Sequence, residues 1–121
     1  MANTLYLQLM KNRMRLLHIE SGKTIELAAD SPISNNRLLV ADFLATEALL
    51  KQAIAQLETK RWFQLQMPAQ MVIQPLELIE GGLAPVEERI LLELGHGSGA
   101  RKVQIHVGEQ LSPEAVLSLL R

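Results

Sequence analysis

The first third of the chain alternates apolar and polar residues with the period of a β-strand. In TLYLQLM, residues 4–10, three leucines share one face, and the opposite face carries Tyr6, Gln8 and Met10. A turn at Lys11-Asn12 leads to a second strand segment, MRLLHI, and a turn at residues 21–23 leads to a third, TIELA. Three strands joined by such short turns predict an antiparallel meander, which ends at DSPISNN.

After residue 42 the spacing of apolar residues changes to that of a helix. The predicted stripe, wide enough for one buried face, consists of Phe43, Leu44, Leu49, Leu50, Ala53, Ile54 and Leu57. Asp42 precedes it and is a residue type that caps free N–H groups. The connection KRWFQLQMPAQ then leads to the apolar run MVI, residues 71–73, which predicts a buried strand before Pro75.

The second half predicts two more helices and one more strand. Pro85 suits the first turn of a helix, on which one face is formed by Val86, Ile90, Leu91 and Leu94 while Glu87 and Glu88 point elsewhere. GHGSGA ends this helix, with Gly95 or Gly97 expected in the left-handed conformation, and the strand KVQIHV follows. In LSPEAVLSLLR, a capping serine, a proline and a glutamate predict a last helix.

The order βββαβαβα predicts an α/β fold with a mixed five-stranded sheet. Strands one, four and five are expected to be parallel, with right-handed crossovers. This layout is that of the ribonuclease-H-like fold, which is also the half-domain of actin-like ATPases. The length of 121 residues fits one domain, residues 1–121.

The composition restricts the location and the classes of partner that we expect for this chain. The chain has no cysteine, which is consistent with the cytoplasm, our expected location. A formal net charge of −1 and few aromatic residues give no case for nucleic acid as a partner. No apolar run approaches the ~20 residues of a transmembrane segment, and MANTLYLQL lacks the features of a signal peptide.

Simple catalytic patterns do not fit this chain. A two-metal nuclease needs a carboxylate on the first strand, and TLYLQLM has none. His18, His96 and His106 lack metal-ligand spacing, so we interpret His18 and His106 as strand residues and His96 as a turn residue. GHGSGA leaves a helix and enters a strand, the reverse of a dinucleotide-binding loop. Glu87 and Glu88 lie near the start of the predicted helix, where negative charge interacts favourably with the helix dipole.

Two segments resemble a known family at consistent spacing. LLVADFLATEALLKQAIAQL, residues 38–57, is similar to a region of the MreB rod shape-determining proteins, the bacterial actins, where ADF-x-x-TE precedes an amphipathic helix. GGLAPVEERILLELGHGSGARKV, residues 81–103, resembles the next helix and strand of that family, with V-E-R-R followed by G-A-G-A-R-x-V. The resemblance covers about residues 38–107 and, more weakly, the meander.

The resemblance implies a first subdomain without a complete nucleotide site. MANTLYLQL resembles the A-N-T-L that follows the family's first phosphate loop, and the second phosphate loop would lie beyond residue 121. Glu87 in PVEER matches the family glutamate that positions the attacking water, whereas Val107-Gly108-Glu109 replaces the family's E-E-P. We therefore expect no cofactor, no metal and no catalytic residue, with Glu87 as the one matching position.

The function expected from this resemblance is a non-catalytic, actin-like module that binds a protein linked to cell shape or the cytoskeleton, or that forms a homodimer. The candidate interface residues are Trp62, Phe63, Val116, Leu119 and Leu120. The alternative is an ATP-binding or ATPase fragment that a partner chain completes.

Overall fold

The computed structural model describes residues 3–59 and 69–121. The strands are β1 (Asn3–Met10), β2 (Arg13–His18), β3 (Lys23–Ala28), β4 (Ala69–Pro75) and β5 (Ala100–Ile105). The helices are α1 (Phe43–Thr59), α2 (Pro85–Gly97) and α3 (Pro113–Leu119). This order confirms the βββαβαβα prediction.

The strands form one mixed sheet in the order β3-β2-β1-β4-β5. β1, β2 and β3 pair antiparallel, which is the predicted meander. β4 pairs parallel with both β1 and β5, and α1 and α2 are the connecting helices. The predicted mixed five-stranded sheet, with strands one, four and five parallel, is therefore confirmed.

The main core lies on the face of the sheet that α1 and α2 cover. Leu5 and Leu7 of β1 lie in register with Met71 and Ile73 of β4, and all four side chains are buried. The helices complete this core with Leu50, Ala53, Ile54, Leu57, Leu91 and Leu94. Each such large aliphatic side chain contributes about 1.5–3 kcal/mol when it is removed from water.

The opposite face carries a much smaller apolar cluster under α3. Tyr6 and Val72, neighbours in register on β1 and β4, pack against Val116 and Leu120. All four residues are buried. The seven-residue helix α3 thus covers only part of this face, and the polar residues Gln8 and Gln74 lie beside it on β1 and β4.

The helix starts follow the predicted capping chemistry. Asp42 Oδ1 accepts a hydrogen bond from Ala45 N at 3.0 Å at the start of α1. Ser112 Oγ accepts one from Ala115 N at 3.2 Å at the start of α3. Pro85 stands in the first turn of α2, where its missing N–H costs no helical hydrogen bond.

Two residues assigned to buried helix faces are in fact exposed. Leu44 is 76% exposed, because at 100° per residue it lies about 120° around α1 from buried Leu50. Val86 is 63% exposed, because the buried side of α2 centres on Leu91 and Leu94. The same rotation brings Glu87 to the half-buried side of α2, so the prediction that it points away from the core is wrong.

The GHGSGA stretch ends α2 later than predicted. Gly95 and Gly97 are still helical, the cap Ser98 is right-handed at φ −84°, and the positive φ of +116° occurs at Gly99. The prediction of a left-handed cap at Gly95 or Gly97 is therefore wrong. β5 then begins at Ala100 and ends at Ile105, so His106 lies just after the strand and not within it.

Gly95 is required by the close approach of α2 to the sheet. A Cβ atom at this position would lie 2.7 Å from Val103 Cγ2 and 3.3 Å from Ile73 Cδ1, which both belong to buried side chains. A Cβ at Gly97, two residues on, would meet only the carboxylate end of the Glu47 side chain, which can move away. The two glycines therefore have different roles in one helix.

Gly95→Ala should lower the free energy of unfolding by about 1–3 kcal/mol, the usual cost of overpacking a core. Gly97→Ala is the matched control and should be neutral or slightly stabilising, because alanine is the better helix former. Urea denaturation of both variants measures the difference. Equal stability of the two variants would contradict the close-packing argument.

Candidate functional site

The carboxyl ends of β1 and β4 carry a buried polar cluster on the α3 face. Sheets with parallel strands bind ligands at this end, so the cluster is the first candidate site. Tyr6 Oη donates to Gln74 Oε1. Gln8 Nε2 donates to the same oxygen at 3.1 Å and lies 3.5 Å from Tyr6 Oη. Arg15 Nη1 lies 3.4 Å from Gln8 Oε1 at the outer edge of the cluster.

This polar cluster also fastens the segment between β5 and α3. Gln74 Nε2 donates to Gly108 O at 2.7 Å, and Tyr6 Oη accepts from Leu111 N at 3.0 Å. The side chains of Tyr6 and Gln74 are therefore bonded within the chain, and the cluster holds α3 against the sheet. Among the described residues, no buried side-chain nitrogen or oxygen atom lacks a hydrogen-bond partner.

The turn between β1 and β2 is also bonded to the chain's own loops. Asn12, in the left-handed conformation at φ 57°, accepts at Oδ1 from Ile33 N and Ser34 N, both at 2.9 Å. Lys11 N donates to Glu77 Oε2 at 2.8 Å. The turn therefore anchors the loops that follow β3 and β4.

Glu87 stabilises the start of α2. Its Oε1 atom accepts a hydrogen bond from Ala84 N at 3.0 Å, while Glu87 N donates to Ala84 O at 2.9 Å. This reciprocal pattern is half of a capping box and satisfies a backbone donor that the helix itself cannot. The carboxylate that the resemblance matched to a catalytic position thus has a structural role in this fold.

An apolar groove opens beside Glu87, between α2 and the loop before α1. We call it the α2 groove. Eight of its ten lining residues are apolar, among them Leu38, Leu39, Leu78, Leu83, Ile90 and Leu91, and the two others are Glu77 and Glu87. Its volume is about 20 Å³, room for little more than one water molecule. Small-molecule sites are roughly 300–1,000 Å³, so the groove is too small to enclose such a ligand.

A second depression lies between α1 and the loop after β3. It encloses about 210 Å³, is widely open, and is lined by residues such as Asp30, Ile33, Leu49 and Gln52. Its mixed lining contains one charged side chain, that of Asp30. The α2 groove is therefore the better-defined apolar site of the two.

His18 forms a compact polar cluster at the turn between β2 and β3. Ser21 N donates to His18 Nδ1 at 3.2 Å, so the neutral ring carries its proton on Nε2. That atom lies 3.2 Å from Asn3 Oδ1 and 3.4 Å from Glu20 Oε1. Ser21 Oγ is 2.7 Å from Nδ1, which gives a serine–histidine–glutamate contact.

The serine of this contact is held by the turn. Ser21 Oγ lies 3.3 Å from Lys23 N, which donates to it, and Gly22 N bonds to His18 O. Neither of the two cavities described above includes these residues. The cluster therefore closes the turn, in agreement with the interpretation of His18 as a packed strand residue.

The other histidines bond to backbone carbonyls. His96 lies in the last turn of α2, not in a turn after it, and its Nδ1 donates to Ala100 O at 3.0 Å. His106 Nε2 donates to Glu109 O at 2.8 Å. In the part of the chain that the structure describes, no group of three or more His, Cys, Asp or Glu side chains could hold a metal ion.

The predicted interface residues fall in three different places. Val116 and Leu120 are covered by the sheet of their own chain, which corrects their assignment to a partner-facing surface. Leu119 is 39% exposed and stays a candidate. Trp62 and Phe63 lie outside the described residues. No helix within residues 3–59 and 69–121 is long and apolar enough to cross a membrane.

A solved structure with a similar fold supports the class of fold as α/β, ribonuclease-H-like and actin-like. The ethanolamine utilization protein EutJ from Carboxydothermus hydrogenoformans aligns with 85% of this chain at a TM-score of 0.59 and 13% identity. The chain spans 36% of the length of EutJ. The Aquifex aeolicus Ppx/GppA phosphatase aligns with 91% of the chain and 37% of its own length, with 16% identity and a TM-score of 0.47.

Sequence similarity then gives the family. The chain is 36% identical over 126 aligned positions to the uncharacterized protein YjaA of Escherichia coli K12, and the match covers 98% of both chains. The chain therefore belongs to the YjaA family. No protein-family model matches it.

Sequence reasoning missed both the polar cluster and the α2 groove. The signal for the cluster is a glutamine inside each of two apolar strands, Gln8 in TLYLQLM and Gln74 in MVIQP. Only the strand register, which places these residues opposite one another, shows that they meet. The groove has a weaker signal, an apolar segment rich in glutamate at residues 76–88.

Tyr6→Phe should destabilise the fold by about 1–3 kcal/mol, because it removes the acceptor of Leu111 N and one of the two donors to Gln74 Oε1. The loss should be local to α3, whose attachment depends on Tyr6 Oη and Leu111 N. Hydrogen exchange of α3 amides, compared with those of α1, measures this. Uniform changes in α1 and α3 would contradict the anchoring role.

Stability should fall as the pH drops below the ordinary histidine pKa of about 6.5. Burial lowers the pKa of His18, and the nearby Glu20 carboxylate raises it by a smaller amount. The unfolded chain therefore binds the proton first, so this contribution is fully present above pH ~6.5 and is lost below it, down to the lowered pKa. His18→Gln should flatten the curve of unfolding free energy against pH in this window.

A His106→Gln variant is the control for the pH experiment, because it leaves the His18 cluster in place. Its curve should run parallel to that of the wild type. A His18→Gln curve as steep as that of the wild type would show that other groups cause the pH dependence.

Proposed function

We propose that this chain is a non-catalytic module with an actin-like fold that acts by binding another protein. The observation that carries the proposal is the α2 groove, an apolar surface too shallow for a small ligand. Leu76 and Val86, beside its lining residues Glu77 and Glu87, are 38% and 63% exposed. Exposed apolar side chains next to an apolar depression are a feature of interaction sites.

The strand ends support a protein partner over a nucleotide. There the side chains of Tyr6, Gln8, Asn12 and Gln74 bond to each other or to loops of the same chain. Phosphate binding would need donors directed to the ligand, such as free N–H groups at a helix start. At α2, that start is capped by the negative charge of Glu87.

The resemblance of residues 38–57 and 81–103 to the bacterial actins makes cytoskeletal or cell-shape proteins the first class of partner to test. A second copy of the chain is the other partner that we propose to test. We propose the cytoplasm as the location, which the absence of cysteine fits. EutJ, of which this fold covers about a third, supports the actin-like fold alone.

Titration calorimetry with ATP and Mg²⁺ separates this proposal from the alternative of an ATPase fragment. We expect no binding heat at millimolar nucleotide. A protein recovered by affinity purification should, in contrast, bind again after both proteins are purified. ATP hydrolysis that Glu87→Gln abolishes would overturn the proposal, because glutamine keeps the capping oxygen of this residue while removing its carboxylate.

A further inference from the structure

The depression between α1 and the loop after β3 has room for one side chain of a partner. We call it the α1 depression, and it is lined by residues 29–31 and 33 of the loop and by one face of α1. Its volume of about 210 Å³ exceeds the ~150 Å³ of a protein cavity that binds benzene. It is smaller than the roughly 300 Å³ at which sites for drug-sized ligands begin. The size therefore restricts the occupant to a group such as a single side chain.

The α1 side of the depression is recessed because two of its residues are alanines. Ala48, Leu49 and Gln52 lie three, four and seven positions after Ala45, so all four share one face of the helix. Ala48 is exposed, and Ala45 and Leu49 are half-buried. The short alanine side chains leave space against this wall for the aliphatic part of an incoming side chain.

The charge of the lining favours a cation as the occupant. Among the described residues that line the depression, Asp30 is the one with a charge. Asp30 is exposed, and no described residue forms an ion pair with it. Ser31 and Gln52, two exposed lining residues, add neutral side-chain oxygens that can accept hydrogen bonds. An anion would meet the carboxylate without a compensating positive charge.

Arginine is the side chain whose chemistry matches this lining. Its guanidinium group has five N–H donors and no acceptor, and it binds a carboxylate through two parallel hydrogen bonds. Its aliphatic stem packs on apolar surface while the charged end stays in water. Lysine carries the same charge but lacks the planar fork of donors. A guanidinium therefore uses the oxygens of Asp30, Ser31 and Gln52 better than an ammonium group does.

We propose that the α1 depression binds an arginine side chain of a partner protein, with the stem against Ala45, Ala48 and Leu49 and the guanidinium against Asp30. This proposal rests on the protein-binding function and adds a site and a chemistry for the partner. The site is separate from the α2 groove, because the two have no lining residue in common.

The probe is a capped tripeptide with arginine between two alanines, titrated into isotope-labelled protein and followed by NMR. The amide signals of residues 29–31 and of Ala48 should shift and saturate at millimolar peptide. A lysine peptide should bind about two- to threefold more weakly. A citrulline peptide, which has the shape of arginine without its charge, should bind about fivefold more weakly or worse. Equal binding of the arginine and citrulline peptides would contradict the proposal.

Two matched variants of α1 locate the contact. Ala48→Leu should weaken binding of the arginine peptide about tenfold or more, because the larger side chain occupies the depression. Ala55→Leu is the control and should change binding less than about twofold. Ala55 is exposed on the same face of α1, about 10 Å further along the helix axis, and does not line the depression. Leucine is a good helix former, so circular dichroism should show both variants folded. Equal binding by the two variants would place the peptide elsewhere and overturn the proposal.

The charge contribution is tested with Asp30→Asn, which keeps the size of the side chain and one acceptor oxygen. Binding should weaken about three- to fivefold at low salt, and its salt dependence should become shallower, because an exposed ion pair is screened by salt. Glu80→Gln is the charge-matched control. Glu80 is exposed, lies outside the lining and forms no ion pair with a described residue, so its variant should match the wild type. An unchanged salt dependence in Asp30→Asn would overturn the role of Asp30.

The failure of this proposal is distinguishable from the failure of the proposed function. A purified partner that binds Ala48→Leu as well as the wild type overturns the α1 depression as its site and leaves protein binding intact. ATP hydrolysis by the chain overturns the function itself. Free butylguanidinium that binds more tightly than the arginine peptide would overturn a protein as the source of the cation. Concentration-dependent dimerisation that Ala48→Leu abolishes, seen by light scattering, would overturn the separate partner and assign the arginine to a second copy.

Discussion

The parallel pairing of β1 with β4 is the constraint on which this structure depends. Both are interior strands whose side chains are mostly buried on both faces, so each buried side chain must be apolar or must find a hydrogen-bond partner. The leucines of β1 meet this requirement on the face of the sheet that α1 and α2 cover. On the other face α3 covers Tyr6 and Val72 but is too short to cover more. Gln8 Nε2 therefore donates to Gln74 Oε1, and Gln74 Nε2 donates to Gly108 O.

The same constraint separates the internally bonded polar face of the sheet from the apolar groove on its other side. On the α3 face, polar side chains form hydrogen bonds to the segment at residues 108–111. These hydrogen-bonding groups are therefore already used within the chain. On the other side of the sheet, the chain leaves β4 at Pro75 and crosses over to α2, and Leu78 and Leu83 of this crossover line a shallow apolar groove. Exposed Leu76 and Val86 lie beside it.

Periodicity was sufficient to predict the eight elements, their order and the mixed sheet. It assigned Leu44 and Val86 to buried faces because the first turn of a helix has few neighbours to fix its rotation. It placed the end of α2 too early because a glycine at a helix end is usually a left-handed cap. Gly95 is instead helical and close to Val103, a contact between elements that local sequence does not carry. The Tyr6–Gln8–Gln74 cluster depended in the same way on strand register.

The separation in sequence between β1 and β4 also bears on how the chain folds. Leu5 and Met71 are direct neighbours in the sheet but 66 positions apart in the chain, whereas β1, β2 and β3 join through short turns. Local hairpins close quickly, and long-range parallel pairing carries the entropy of closing a long loop. The meander can therefore form early as a template with one open edge along β1. Until the crossover through α1 brings β4 to that edge, its backbone groups and leucines remain available to other chains, so this interval is when the protein is most prone to aggregate.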